Sequence, residues 1–241
     1  MKVLAINTSP EKDSGAIALL LDPYLEGMKA AGADVALYYS RDLLIFPCCG
    51  NLNCTVRTPG QCMAFDDMRW LRPLIGQADV LVLASPLYFN GHTGEAGITE
   101  PVKRLQEQLT RTQDLCDEPY GHAIHTTRES VNLRKVVILS GSGFWEIDDF
   151  NPVLTHLKAF CYNSFPELAS SVTGGHRITV RELPPNAPTA GLVAIARNAG
   201  RRLAEGFEKA AAPVACDGRY KAAGWRHEWD AVTLFEFGVM H

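Results

Sequence analysis

No apolar run near the start of this sequence is long enough to cross a membrane or to form the core of a signal peptide. After Met1 and Lys2, about five apolar residues lead to the polar Asn7. Neither sign of charge dominates, because 23 Lys and Arg stand against 27 Asp and Glu without a block of either sign. We therefore expect no nucleic-acid partner, no membrane association and a cytoplasmic location.

Common nucleotide-binding and catalytic motifs are also missing. The sequence has no Gly-Lys-Ser/Thr ending of a Walker loop, no G-x-G-x-x-G dinucleotide fingerprint and no G-x-S-x-G nucleophile elbow. Its histidines show no metal-ligand spacing on one helix face: His92, His122, His125 and His156. These absences argue against a P-loop enzyme, a dinucleotide-binding domain of the usual kind and a histidine metal site.

What the sequence does contain is an alternation of strands and helices. Short apolar runs predict strands over Lys2–Asn7, Asp34–Ser40, Ala78–Ser85 and Lys135–Leu139, and a fifth around Glu167–Val172. Apolar spacings of three and four predict helices over Ala16–Ala31, Asp66 to about Gly76, about Glu100 to Leu109, Pro152–Tyr162 and Thr189 to about Ala211. Pro23 predicts a kink or a break in the first helix. The pattern predicts an α/β fold with a doubly wound parallel sheet.

The length of 241 residues suits one domain with appendages. We assign residues 1–212 to that domain and expect a polar inserted loop at about 110–132. Residues 213–241 contain Trp225, Trp229, Phe235 and Phe237. So much aromatic surface predicts that this tail docks on its own domain or on a neighbouring subunit.

The loop after the first strand has the composition of a phosphate site. Ligands of open parallel sheets bind outside the carboxyl ends of the strands. Here Thr8 to Ala16 lead into a helix N-terminus, whose unpaired N–H groups attract anions, while Ser9 and Ser14 add hydroxyls and Lys12 adds a cation. The alternative interpretation is a helix start capped by Ser14.

Two further loops follow the third and fourth strands. Pro86, Leu87, Tyr88, Phe89 and Asn90 would form a stiff aromatic rim for a planar heterocycle. The alternative is an ordinary turn whose aromatic side chains belong to the core.

The loop after the fourth strand contains Ser140, Gly141, Gly143 and Phe144. Its glycines would let the backbone approach a ligand closely, and the phenylalanine would cover that ligand. The alternative is a flexible connection without a binding role.

Together these segments resemble the NADPH-dependent FMN reductase family of flavodoxin-like proteins, including its iron-sulfur flavoprotein branch. The resemblance runs from about Lys2 to about Val172 and rests on TSPEKDSGA, PCCGNLNC…PGQC…DDM, SPLYFNG and ILSGSG. It implies a flavodoxin-like three-layer sandwich with a five-stranded parallel sheet of order 2-1-3-4-5. It also implies FMN as cofactor, NADPH or NADH as reductant, and a homodimer or homotetramer. The electron acceptor would be a small molecule such as a flavin, a quinone or a nitro or azo compound.

By the same resemblance, three groups of residues would bind FMN, and no catalytic side chain is expected because the flavin carries the chemistry. The groups are Ser9, Pro10, Lys12, Ser14, Gly15 and Ala16 at the phosphate; Pro86, Leu87, Tyr88, Phe89 and Asn90 beside the isoalloxazine; and Ser140, Gly141, Gly143 and Phe144 over the ring. Two residues depart from the family's Gly-Ser-Pro-Arg, since Thr8 replaces the glycine and Glu11 the arginine. An acid near a phosphate is unfavourable unless it points away.

Four of the seven cysteines lie between Cys48 and Cys62. Four thiolates suit an iron-sulfur cluster, but Asn51 stands where the iron-sulfur branch has its second ligand, and Cys49 adjoins Cys48. Cys48, Cys54 and Cys62 match the branch. We predict no metal site and expect buried thiols that help to fold the loop, with zinc as a further alternative.

Two other hypotheses for the whole chain remain open. One is an electron-transfer protein that carries FMN and an iron-sulfur cluster, and the other is a flavin-free binding module on a degenerate flavodoxin fold. Asp66 and Asp67 also admit two interpretations, paired acid/base carboxylates or N-terminal caps of the following helix, and we favour capping.

Overall fold

The structure is a computed structural model that describes residues 1–88, 91–92, 110–113, 124–127, 131–142, 152, 155, 177–181 and 189–207. Among these residues the strands are β1 (Lys2–Asn7), β2 (Asp34–Tyr39), β3 (Val80–Tyr88), β4 (Gly91–His92), β5 (Thr110–Gln113), β6 (Ile124–Thr127), β7 (Lys135–Ser142) and β8 (Arg177–Arg181). The helices are α1 (Ala18–Ala30), α2 (Asn53–Val56), α3 (Met68–Gln77) and α4 (Thr189–Gly206). Short 3-10 turns cover Lys12–Ser14 and Ser40–Asp42. The predicted helix from about Glu100 to Leu109 and most of that at Pro152–Tyr162 lie outside the described residues.

The main sheet has the strand order β2-β1-β3-β7-β8, and all four pairings along it are parallel. This confirms the predicted flavodoxin-like order 2-1-3-4-5. The fifth strand is Arg177–Arg181, whereas the sequence placed it around Glu167–Val172, a segment outside the described residues. β8 contains the β-branched residues Ile178, Thr179 and Val180, which favour a strand. Its sequence does not show that it pairs with β7, because that pairing depends on the tertiary structure.

The sheet is covered on both faces, and successive residues of β1 alternate between the two cores. Val3 and Ala5 belong to a cluster with buried residues of α1 and α4. Leu4 and Ile6 belong to a cluster with buried residues of α3. Because side chains along a strand alternate with a period of two, a strand buried on both faces must be apolar throughout, which explains the unbroken run in β1.

Two glycines bring α1 and α4 into backbone contact. A Cβ built at Gly27 would lie 1.9 Å from the carbonyl oxygen of Arg197, and one built at Gly200 would lie 2.0 Å from the carbonyl oxygen of Tyr24. No side chain fits at either position. At the margin of this contact, Nη2 of Arg197 is 2.6 Å from Oε2 of Glu26.

α1 continues through Pro23 as one helix, without the predicted break. The proline removes one hydrogen bond, to the carbonyl of Leu19 four residues earlier. Leu19 is exposed, so water can serve that carbonyl. The buried face of α1, which includes Pro23 itself, supplies the packing that keeps the helix continuous.

The insertion predicted as an irregular loop contains an antiparallel pair, β5 with β6, separate from the main sheet. The pairing runs from Thr110 opposite Thr127 to Gln113 opposite Ile124. β5 ends at Gln113 and β6 begins at Ile124, so they are too far apart in sequence for the two-residue turn by which a hairpin is recognised. Each of the two strands contains two threonines, which favour strands even in a polar segment. The expected irregular loop is therefore wrong at these eight residues.

Asp66 and Asp67 tie the start of the cysteine segment, residues 46–65, to α3. Asp66 accepts hydrogen bonds from the backbone N–H of Met68 at 3.2 Å and of Phe46 at 2.8 Å. Asp67 accepts from the N–H of Leu44 at 2.7 Å. Asp66 therefore bonds the first N–H group of α3, whereas Asp67, the N-cap residue, makes no side-chain cap. The capping interpretation holds for Asp66 and is wrong for Asp67, and both carboxylates anchor the preceding residues.

The predicted aromatic tail, residues 213–241, lies outside the described residues, and its docking stays a prediction. Within the part of the chain that the structure describes, no helix combines the length and the apolar character needed to cross a membrane.

We predict that Gly27→Ala and Gly200→Ala each lower the free energy of unfolding by about 1–3 kcal/mol, because a methyl group forces α1 and α4 apart. Urea unfolding followed by circular dichroism measures the effect. Gly206→Ala is the matched control on α4, since a Cβ there would meet nothing within 4 Å. Equal stability of Gly200→Ala and Gly206→Ala would contradict the proposed backbone contact.

We predict that Asp66→Asn lowers the free energy of unfolding by about 1–3 kcal/mol, because the amide group would present N–H donors to backbone N–H donors. Amide hydrogen exchange at Phe46 should accelerate as well. Asp34→Asn, an exposed carboxylate at the start of β2, should change stability by no more than about 0.5 kcal/mol. Unchanged exchange at Phe46 would show that Asp66 does not anchor the segment.

Candidate functional site

The predicted site lies at the carboxyl edge of the sheet, where β1, β3 and β7 end side by side. Just after β1, Thr8 donates to the carbonyl oxygen of Ala84 twice, from its N–H at 2.8 Å and from its hydroxyl at 3.2 Å. The hydroxyl of Ser140 donates to the carbonyl oxygen of Ser85 at 2.8 Å. The structure thus brings parts of all three predicted segments to one edge.

The second and third segments begin as strand rather than as loops. β3 extends to Tyr88 and β7 to Ser142, with Pro86 in register with Gly141. β4 then turns back antiparallel to the end of β3. β3 and β7 extend this far because they continue to pair with each other up to Leu87 and Ser142, which the sequence alone does not show. Of the predicted residues, Phe89, Asn90, Gly143 and Phe144 lie outside the described residues.

Asn7 holds the first loop, residues 8–17, in a compact turn. Its Oδ1 accepts from the N–H of Ser9 at 2.9 Å, and its Nδ2 donates to the carbonyl of Lys12 at 3.1 Å. Lys12 has a φ of 51°, in the left-handed region. Sequence reasoning treated Asn7 only as the end of a strand. Asparagine often bonds the backbone two residues further along the chain, and this tendency could have predicted the turn at Ser9.

The first loop presents free N–H groups ahead of α1. In the described part of the chain, the backbone N–H groups of Gly15, Ala16 and Ile17 donate to no acceptor, and α1 has no side-chain cap. The hydroxyl of Ser14 donates instead to the carbonyl of Glu11 at 2.7 Å, so Ser14 is not the helix cap. Three N–H groups at the positive end of the helix form an arrangement that attracts an anion.

Ser9 faces the same part of the loop. It is 3% exposed, and its Oγ accepts a hydrogen bond from the N–H of Glu11 at 3.3 Å. Among the described residues, this hydroxyl finds no acceptor for its own hydrogen. A buried hydroxyl with a free hydrogen is suited to donate to a ligand oxygen.

Glu11 folds back over Gly15 instead of pointing away from the loop. A Cβ built at Gly15 would lie 2.8 Å from Cβ of Glu11, 2.9 Å from its Oε2 and 2.9 Å from Oγ of Ser9. Gly15 is therefore required because the side chains of Glu11 and Ser9 occupy the space beside it. The carboxylate lies next to the same N–H groups that suit an anion.

The cations near the loop are not arranged as the sequence suggested. The ammonium group of Lys12 forms an ion pair with Asp42 and lies 5.9 Å from the ring centroid of Tyr39. Arg41, which sequence reasoning missed, donates from Nη1 to the carbonyl of Pro10 at 2.5 Å. Arg41 follows β2 by two residues, and no local pattern links it to a loop about thirty residues earlier.

Both carboxylates and cations lie near the start of α1. Partial burial raises the pKa of Tyr39, and the charges of Asp13 and Asp22 raise it further. Burial also raises the pKa of Asp22, followed by the charges of Glu26 and Asp13. Burial is the larger cause of both pKa shifts, and the nearby carboxylates add to it, so these charges would act against an anion at the start of α1.

The four cysteines of the cysteine segment do not converge. Cys48 and Cys49 are exposed, while Cys54 and Cys62 are half-buried, and no disulfide joins any of the four within the described residues. Among the described residues, no three His, Cys, Asp or Glu side chains are grouped so that they could hold a metal ion. The thiols as arranged do not fit an iron-sulfur cluster. The expectation of buried thiols is wrong for Cys48 and Cys49.

Comparison with solved structures shows the same fold in flavin oxidoreductases. An NAD(P)H:quinone oxidoreductase from Methanothermobacter marburgensis superposes with a TM-score of 0.60 at 18% identity, covering 84% of this chain and 96% of that one. An FMN-dependent NADH-azoreductase from Bacillus anthracis in complex with FMN superposes with a TM-score of 0.56 at 15% identity, covering 85% and 100%. At these identities the likeness concerns the fold.

Sequence comparison identifies relatives that match up to about half of the chain. An iron-sulfur flavoprotein from Archaeoglobus fulgidus is 29% identical over 122 residues, which are 51% of this chain and 48% of the relative. The chain thus spans about half the length of the curated relatives it matches. Over residues 1–96 the chain matches the NADPH-dependent FMN reductase family, which confirms the resemblance read from its sequence motifs.

Proposed function

We propose that this chain is an oxidoreductase that binds FMN and passes reducing equivalents from NADPH or NADH to a small acceptor. The observation that carries the proposal is the set of free N–H groups at Gly15, Ala16 and Ile17, next to the buried hydroxyl of Ser9. The family match over residues 1–96 includes this loop. When bound, FMN would supply the redox chemistry, and the protein would position it.

The first loop contains groups of the kind that hold a phosphate monoester. The N–H groups before α1 and the hydroxyl of Ser9 are donors, and phosphate oxygens are strong acceptors. Pro10 and Ala16 are exposed residues of the same loop, and Ser14 keeps its hydroxyl on the carbonyl of Glu11. Arg41 provides a cation beside the loop, whereas Lys12 is engaged by Asp42.

We assign the flavin ring to the edge formed by the ends of β3 and β7. Pro86 and Leu87 are on β3 opposite Gly141 and Ser142 of β7, so a ligand above the first loop would meet this pair of strands. Gly141 has no side chain to obstruct such a ligand. Ser140 is buried and uses its hydroxyl on Ser85, so it would shape the edge rather than donate to a ligand.

A free flavin, a quinone, or a nitro or azo compound would suit as acceptor. A cytoplasmic location and a homodimer or homotetramer remain predictions. The flavin-free module is less well supported than the reductase, because the free N–H groups and the hydroxyl of Ser9 would then have no ligand.

The second candidate is an electron-transfer protein with an iron-sulfur cluster beside FMN. It is favoured by the match to a relative named iron-sulfur flavoprotein and by the spacing of Cys48, Cys54 and Cys62. The arrangement of those thiols argues against it.

We predict that the purified protein binds FMN and that NADPH or NADH bleaches the bound flavin under anaerobic conditions. Ser9→Ala should weaken FMN binding about five- to tenfold, the effect of one lost hydrogen bond to a charged group, without changing riboflavin binding. Flavin absorbance and quenching of flavin fluorescence measure reduction and affinity. Ser40→Ala, a buried serine outside the loop, is the control. Failure of the wild type to bind FMN would refute the proposed function.

We predict that anaerobic incubation with ferrous iron and sulfide, followed by gel filtration, leaves no more iron or acid-labile sulfide on the wild type than on a variant with Cys48, Cys54 and Cys62 replaced by serine. The reason is that an iron-sulfur cluster needs several thiolates close together, and no three potential ligands are grouped among the described residues. A brown chromophore present in the wild type and lost in the variant would favour the electron-transfer candidate.

A further inference from the structure

Glu11 brings a carboxylate beside Gly15 in the first loop. The carboxylate of Glu11 lies over Gly15, with Oε2 2.9 Å from the position that a Cβ would take there, and the free N–H groups of residues 15–17 begin at the same glycine. Oγ of Ser9 lies 2.9 Å from that same position. A phosphate bound to these donors would have to share the space with a carboxylate.

Glu11 is held there only loosely. The residue is exposed, and no hydrogen bond or ion pair to its carboxylate is formed among the described residues. Its backbone is fixed, because its N–H donates to Ser9 and its carbonyl accepts from Ser14. The side chain can therefore rotate away while the loop keeps its shape.

No cation of the loop neutralises Glu11. Lys12 pairs with Asp42, and the guanidinium of Arg41 donates to the carbonyl of Pro10. Like charges at close range disfavour each other, and a displaced carboxylate would still remain on the same loop as an incoming phosphate.

We infer that Glu11 is a specificity-determining residue, whose carboxylate occupies the phosphate position of the flavin site and weakens its affinity for phosphorylated flavin. The inference rests on the proposed function, because it concerns the same site. Its effect is confined to ligands that carry an anion. Riboflavin, which lacks the phosphate, is therefore the ligand that should not respond to Glu11.

The test compares the wild type with Glu11→Gln and Asp13→Asn by equilibrium titration of FMN and riboflavin, followed by flavin fluorescence. Glu11→Gln should tighten FMN binding about tenfold, the size expected when one like charge near a partly solvated ion is removed, and should leave riboflavin binding unchanged. Asp13→Asn removes the same charge from an exposed position in the same loop and should change FMN binding less than about threefold. Glu11→Ala serves as a second variant, and circular dichroism verifies that each variant is folded.

A second measurement does not need flavin. Inorganic phosphate should raise the midpoint of thermal unfolding of Glu11→Gln more than that of the wild type, because a ligand that binds the native state stabilises it. Equal FMN affinities of Glu11→Gln and the wild type, or equal gains in Glu11→Gln and Asp13→Asn, would overturn the inference. If no variant binds FMN but phosphate still stabilises Glu11→Gln selectively, the proposed function fails and the role of Glu11 stands.

Discussion

The carboxyl edge of the sheet depends on one requirement, that polar side chains buried there find hydrogen-bond partners in the backbone. Asn7, Thr8, Ser9, Ser85 and Ser140 are all buried. An unpaired polar group in such a place costs about 1–3 kcal/mol. Thr8 meets the requirement by bonding β3, and Asn7 meets it by bonding the first loop on both sides. The conformation of the loop is therefore a consequence of satisfying buried groups rather than of the loop's own preferences.

The same requirement explains why the edge is suited to a ligand. Once Asn7 has fixed the turn, the N–H groups of residues 15–17 lie ahead of α1 and donate to no acceptor in the described parts of the chain. Ser14, the residue that could cap them, bonds the carbonyl of Glu11 instead. A helix N-terminus left open in this way attracts anions, which is the basis of the phosphate site proposed above, and neighbouring carboxylates would oppose that attraction.

The cysteine segment has the cysteine spacing of the iron-sulfur branch, but its thiols are not grouped in space among the described residues. Three of its cysteines keep the spacing of the iron-sulfur branch, and Asp66 and Asp67 fasten its start to α3. Metal ligation needs the thiols to converge, which spacing along the chain does not ensure. Around them, large apolar side chains such as Val56, Met63 and Phe65 are exposed. The segment is thus anchored at its start but does not build a core of its own.

The sequence by itself determined that helices cover a parallel sheet, and the family resemblance implied the order of its strands. The doubly apolar runs of β1 and β3 predicted strands buried on both faces, and the alternation of strands with helices predicted parallel pairing between covering layers. Tertiary structure decided what local patterns do not encode. The pairing of β3 with β7 set where those strands end, and β5 found a partner beyond the reach of a turn signal. Lys12 pairs with Asp42, and Arg41, in the turn after β2, bonds the first loop. Charged groups interact according to their distance in space, which their separation along the chain does not show.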